Sequence, residues 1–248
     1  MPDQASGSPD RNAAGLVAHT LDPLRYDVER SLDPYEVPGI VAKMIPSNSA
    51  VLDVGCGTGT LALALSAACH AEFVGIEPDH ARAARAAERG LRVIEGTLDP
   101  SLACELGRFD IVLLADVLEH LPNPQAILLT CREFLKTGGA IVVSVPNVGH
   151  WSVRSEVLQG RFRYNSCGIM DATHLRWFTA ESVRQLVAST GFRVVEYHAT
   201  AGFDAPDNMG RAPLCWLPGR CRNALLRLGS QRWPTLLGTQ HVLKAEMV

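Results

Sequence analysis

The stretch VLDVGCGTGTLALAL, from Val51 to Leu65, decides how the chain is read. An apolar run ends on Asp53 and Val54, glycines follow at alternate positions (Gly55, Gly57, Gly59), and a second apolar run starts near Thr60 with a different period. A short apolar run, a glycine-rich break and a resumption at helical spacing describe a strand, a tight turn and a helix. Glycine admits positive φ and lets a ligand approach the backbone closely, and the following helix points its N-terminus into the same space. The glycines alone also suit a tight turn that holds nothing, so the flanking sequence decides between the two readings.

Outward from this turn the strand–helix alternation continues. Strands are expected at 50–54, 72–76, 92–94, 110–115, 140–145, 193–198 and 241–245, with helices between the first five. The runs IVLLA and AIVVSV are continuously apolar, as strands of a parallel sheet covered on both faces must be. The fold class is therefore α/β, an open doubly wound sheet. Residues 1–15, rich in Pro, Ser, Gly and Asp, are expected to be disordered. Residues 16–48 are read as a helical segment broken at Pro23, Pro34, Pro38 and Pro46, and 49–248 as the main domain. Segments 146–178 and 200–239 interrupt the rhythm as inserts.

The bulk properties narrow the function. The chain has 248 residues, 47% apolar and 20% charged, with a net charge of −3, so no global field favours nucleic acid. The seven cysteines form no CxxC pair, which suits reduced thiols and a cytoplasmic setting. No apolar run of ~20 residues is present to span a bilayer. The eight histidines show no metal-ligand spacing with Cys or carboxylates, so no metal is expected.

Glu77 ends the second strand, where an acidic side chain can accept hydrogen bonds from both ribose hydroxyls of a nucleoside. A nicotinamide dinucleotide fits poorly. The third glycine of G-x-G-x-x-G would fall at Thr60, and no tyrosine has a lysine four residues later. The segments VLDVGCGTGTLALAL, FVGIEPD, FDIVLLADVLEHLPNP and LKTGGAIVVSVPN resemble, in order and spacing, the motifs of class I S-adenosylmethionine-dependent methyltransferases, over roughly residues 35–199. The resemblance implies a seven-stranded Rossmann-like sheet of order 3-2-1-4-5-7-6, with strand 7 antiparallel. It implies S-adenosylmethionine as cofactor, with Gly55, Cys56, Gly57 and Gly59 at its methionine part, Asp53 near its amino group, and Glu77 and Pro78 at the ribose. It places Asp116, Val117 and Leu118 between cofactor and acceptor. Thr97 stands where the family often has an Asp on the adenine, leaving Leu98, Asp99 or a backbone group to make that contact.

The insert after strand five holds acceptor-binding candidates: Trp151, Arg154, Arg161, Arg163, Tyr164, Arg176 and Trp177. Its four arginines face only Glu156 and Asp171, which suits an acceptor bearing a phosphate or carboxylate. Candidate bases are His174, then His150, then His120, with Asp171 placed to orient His174 if the two share a helical turn. PNVGHWSVRSEVLQGRFRY and GIMDATHLRWFTAESV resemble a bacterial subgroup associated with glycan assembly. That likeness implies an O-methyltransferase for a small molecule, foremost a sugar hydroxyl. Alternatives are an aromatic, polyketide-like or methionine-associated acceptor, or a non-catalytic module that binds S-adenosylmethionine. A nucleic-acid acceptor is disfavoured because ADVLEH replaces the DPPY or NPPY tetrad. In the second insert, Arg220, Arg222, Arg227 and Arg232 alternate with leucines. Packing on the domain or in a homodimer is the preferred reading there over contact with a membrane surface.

Overall fold

A computed structural model describes residues 22–209 and 216–248. Seven strands are present: β1 (Ala50–Val54), β2 (Glu72–Glu77), β3 (Arg92–Glu95), β4 (Phe109–Ala115), β5 (Leu135–Pro146), β6 (Phe192–Ala199) and β7 (Gln240–Met247). They form one sheet of order β3-β2-β1-β4-β5-β7-β6. β1 to β5 pair in parallel, and β7 runs antiparallel to both β5 and β6. The principal helices are α1 (Val37–Met44), α2 (Thr60–Cys69), α3 (His80–Glu88), α4 (Pro124–Cys131), α5 (Trp151–Leu158), α6 (Ala180–Ser189) and α7 (Gly219–Arg232).

Alternation along the strands divides the core into two layers. Val51, Ile111, Leu113 and Val142 face one side and pack with α1, α2 and α3. Their neighbours Leu52, Val112, Leu114 and Ile141 face the other and pack with α4 and α6. Burial on both faces is why these strands read as unbroken apolar runs. Local signals set the helix ends. Asp79 caps α3, Asn123 caps α4, and Thr179 with Ser182 closes a reciprocal cap on α6.

The N-terminal segment differs from its sequence reading. The disorder expected for 1–15 lies outside the described residues. Of 22–48, only Val37–Met44 is helical; Pro38 sits in its first turn, and 22–36 is turn and extended chain. Proline at 23 and 34 removes donors and fixes φ, and side-chain contacts described below hold the strand of chain in place of a helix. In the first insert only α5 is helical, so Asp171 and His174 do not share a helical turn.

Asn147, fully buried at the end of β5, ties both inserts to the sheet. Its amide nitrogen donates to the carbonyls of Thr235 (3.2 Å) and Gly238 (2.8 Å), and its oxygen accepts from Gly149 N–H (2.9 Å). Asn147→Ala leaves these groups without partners and should lower unfolding free energy by about 2–4 kcal/mol. Urea unfolding checks this; a change below about 0.5 kcal/mol would show the inserts are held elsewhere.

Candidate functional site

The site lies at the C-terminal ends of β1, β2, β4 and β5, where an open α/β sheet presents its crevice. Gly55, Gly57 and Gly59 all have positive φ (72°, 57° and 77°). The N–H groups of Gly55 and Cys56 donate to Ile76 O, at 2.7 and 3.1 Å, which bends the loop over the end of β2. A Cβ at Gly57 would meet no atom within 4 Å, whereas one at Gly59 would press on Ala86 and Leu91, and one at Gly55 on Val117. Gly57 therefore lines open space, and Gly59 and Gly55 allow close packing. Cys56 is buried beneath the loop, its Sγ where a side chain on Gly75 would lie, so Gly75 is a required partner that the motif does not reveal.

Carboxylates concentrate at this rim. Glu77 is buried and accepts from Gly57 N–H (2.9 Å) and Asp79 N–H (3.0 Å). Asp53 is only 2% exposed, and its Oδ2 has no hydrogen-bond partner. Burial, then the charge of Glu77, pushes its carboxyl up to about 8. Pro78 and Thr97 are exposed, and Leu98 is buried beside the end of β3. Asp99 accepts from Ser101 N–H and Oγ–H, so its carboxylate serves a local turn.

Asp116, next after β4, has φ +56°, a conformation that short polar side chains tolerate better than most. Its Oδ1 accepts from Ser144 Oγ (2.7 Å) and Gln240 Nε2 (2.8 Å). Val117 is half-buried over Gly55. Glu119 is 1% exposed and neither carboxylate oxygen has a hydrogen-bond partner. Burial, then the charge of Asp116, raises its carboxyl well above the ordinary range. His120 and His174 stack edge to face at 4.9 Å. Each Nδ1 faces a backbone carbonyl, Thr173 O at 3.2 Å and Ile169 O at 3.0 Å. A carbonyl only accepts, so Nδ1 carries the proton and Nε2 keeps its lone pair. Burial lowers both pKa values, with His120 also depressing His174. Glu119, His120 and His174 each bring a donor atom within 4.8 Å of the others, a convergence that sequence spacing does not show.

The other base candidates are placed differently. His150 is fully buried, its Nδ1 at 2.8 Å from Ser152 Oγ, and it caps α5. Asp171 does not orient His174. Its carboxylate accepts from Arg25 (3.1 Å), Tyr26 Oη (2.5 Å) and Thr173 Oγ1 (2.7 Å). Although burial pushes its carboxyl up, bonds from Tyr26 and Thr173 and the Arg25 charge hold it below the ordinary range. Arg25 and Tyr26 belong to the N-terminal segment, which also reaches α3: Asp27 pairs with Arg85 and Arg89, and Pro23 O accepts from Arg82. This strap runs from α3 to the first insert, and nothing in its composition signals it.

The four arginines of the first insert do not meet as one group; only Arg161 and Arg163 share a cavity wall. Arg154 and Arg176 donate to the backbone carbonyls of Gly149 and Pro122 (each 2.5 Å), and Arg161 to Gln159 (2.8 Å). Arg161, Arg163 and Phe162 line a cavity of about 130 Å³ with Val153, Glu156 and Met170. Phe162, Tyr164 and Trp177 form an aromatic group with ring centroids 5.6–6.1 Å apart. Trp151 packs instead against Ala201 and Leu226. Backbone bonds from Leu175 and Arg176 to Glu119 O (2.8 and 3.0 Å) seat this insert beside β4.

Asp53 yields a pH signature. Its pKa rises from 3.8 unfolded to about 8 folded, so between those values the folded chain keeps a proton that the unfolded chain has lost. Stability from this group is present at low pH and lost as pH rises through the window. Asp53→Asn should remove a slope of up to about 1.4 kcal/mol per pH unit from the wild-type curve. Urea unfolding from about pH 5 to 8 checks it; parallel curves would contradict the assignment.

The methyltransferase domain family matches residues 28–197. Ubiquinone biosynthesis O-methyltransferases of Escherichia coli and Escherichia fergusonii are 32% identical over 136 residues, 52% of this chain and 52% of each relative. The chain thus matches about half the length of these curated relatives. Among solved structures, the CcbJ methyltransferase from Streptomyces caelestis has a TM-score of 0.58 at 16% identity, covering 90% of this chain and 94% of that one. A SAM-dependent methyltransferase from Archaeoglobus fulgidus has a TM-score of 0.57 at 19% identity, covering 84% and 92%. At such identities the likeness is one of fold. With the family match across most of the sheet, it establishes that this chain belongs to the methyltransferase domain family and has the fold of its S-adenosylmethionine-dependent members.

Proposed function

We propose that the protein moves a methyl group from S-adenosylmethionine to a hydroxyl oxygen of a small acceptor, foremost a sugar of a glycan precursor. The residues at the rim fit the cofactor. Asp53 offers a buried carboxylate oxygen in want of a donor, Gly57 lines a cradle that a Cβ would fill, and Glu77 presents a carboxylate at the end of β2. S-adenosylmethionine, when bound, supplies an electrophilic methyl on a sulfonium. The chain's part is to hold and align both molecules, exclude water and take the acceptor's proton.

The observation that carries the reading is the group at the end of β4. His120 is neutral near pH 7, anchored through Nδ1, and half-buried at the rim beside Asp116, so its Nε2 suits proton acceptance. His174, stacked edge to face against it, and the carbonyl of Thr173 hold it in place, with Glu119 close by. This reverses the sequence-based order of candidates. A sensor that only bound S-adenosylmethionine would have no use for an acceptor-side base. A second reading, a phenolic or other aromatic acceptor, draws on the similarity to ubiquinone biosynthesis O-methyltransferases and on the Phe162, Tyr164 and Trp177 group. The setting we propose is cytoplasmic; among the described residues no helix is long and apolar enough to cross a membrane.

Incubation with methyl-labelled S-adenosylmethionine and two acceptor panels, nucleotide and lipid-linked sugars against catechols and phenols, separates the readings. Label in the sugar panel is expected; label only in the phenols would move the assignment to the second reading. His120→Ala should lower kcat by about 10²-fold or more while cofactor affinity stays within about twofold; unchanged turnover would remove His120 as base. Glu77→Ala should weaken cofactor binding by about tenfold or more in calorimetry, since a charge-assisted bond contributes roughly 1.5–3 kcal/mol; equal affinity would contradict its ribose role.

A further inference from the structure

α7 has two unlike faces. Leu226, Gly229 and Ser230 are buried against the domain, where Leu226 packs with Ala201 and Trp151. The opposite face is exposed and carries Cys221, Ala224, Leu225 (48% exposed) and Leu228 (62%), flanked by Arg220, Arg227 and Arg232. Exposed tryptophans stand at both ends, Trp216 (78%) before the helix and Trp233 (53%) after it. No residue from Trp216 to Gln240 is acidic. The sequence-based preference for a packed helix therefore accounts for Leu226 and leaves Leu225 and Leu228 outward.

We propose that α7 with its flanking tryptophans docks on a membrane surface bearing anionic lipid headgroups. The components suit that surface in kind and position. Arginines in a segment without acidic residues, two of them stacked on Tyr35 and Trp233, are attracted to a negative headgroup layer, leucines on the outer face enter the acyl boundary, and tryptophans settle at the interface. A second copy fits poorly, because a two-fold contact through this face would set like charges against each other. Nucleic acid would engage the arginines and leave Leu225 and Leu228 without a partner. The helix is also connected to the rim. Its following turn, Pro234–Leu237, leads to carbonyls bound by Asn147, and Gln240 holds Asp116. Docking therefore sets the acceptor side of the site near the headgroups. This holds whichever acceptor is methylated.

Co-sedimentation of the full chain with vesicles of phosphatidylcholine, alone or mixed with phosphatidylglycerol, tests the proposal. Binding is expected only with phosphatidylglycerol, and should weaken as salt rises. Leu225→Ser with Leu228→Ser, and separately Arg220→Glu with Arg232→Glu, should each lower the bound fraction about tenfold or more while circular dichroism stays unchanged. Absence of binding at low salt overturns the proposal, as does binding that neither pair of substitutions weakens. It is also overturned by a dimer in size-exclusion chromatography that the leucine pair abolishes, or by oligonucleotide binding that the arginine pair abolishes in a protein that ignores vesicles.

Discussion

The rim of the sheet brings negative charge into a place that water barely reaches. Asp53, Glu77 and Glu119 are buried, and the exposed Asp116 follows β4. A buried carboxylate without donors is strongly disfavoured as an anion, so each must find N–H groups, a proton or a cation. Glu77 finds two backbone N–H groups from the glycine turn and the head of α3. Asp53 and Glu119 find no such partner and hold protons more tightly than ordinary carboxyls. A cation settling beside such carboxyls favours loss of their protons, so the rim suits a positively charged ligand. A sulfonium that also carries an ammonium group is such a ligand, and the open side of Gly57 gives it a path to the backbone.

The chain also places positive charge where the rim does not need it. Arg25 serves Asp171, and Arg85 and Arg89 serve Asp27, so the strap is held at both ends by ion pairs. Arg154 and Arg176 are taken up by backbone carbonyls. The cations nearest in sequence to the site are thus engaged in holding its walls, and the carboxylates of the glycine turn keep their unmatched character.

The sheet was legible because burial on two faces forces continuous apolar runs, and these are visible in IVLLA and AIVVSV without any partner being known. The glycine turn was legible because positive φ leaves little choice of residue. Glu119 was not, since a carboxylate in a turn ordinarily faces water, and only the fold of the insert over it removes that water. Nor was the tie between His120 and His174, which lie far apart in sequence and meet because Leu175 and Arg176 hydrogen-bond to Glu119 O. The helical reading fails over 22–36, where proline and long-range ion pairs, not local periodicity, set the path of the chain. The placement of the insert's arginines was not legible, because the sequence shows how many guanidinium groups an insert has but not that Arg154 and Arg176 reach backbone carbonyls while Arg161 and Arg163 line a cavity.

Strand order divides labour across the middle of the sheet. β1, β2 and β3 carry the glycine turn, Asp53 and Glu77, whereas both inserts branch from the β5–β7 side and meet at Asn147 and Gln240. Changes of length or composition in either insert therefore act first on the β5–β7 half of the crevice, and the strap from Asp171 to α3 is the tie through which the first insert reaches the other half. On the function proposed above, such a molecule exchanges its clientele while keeping its reagent, because the two would be gripped by largely separate parts of one frame.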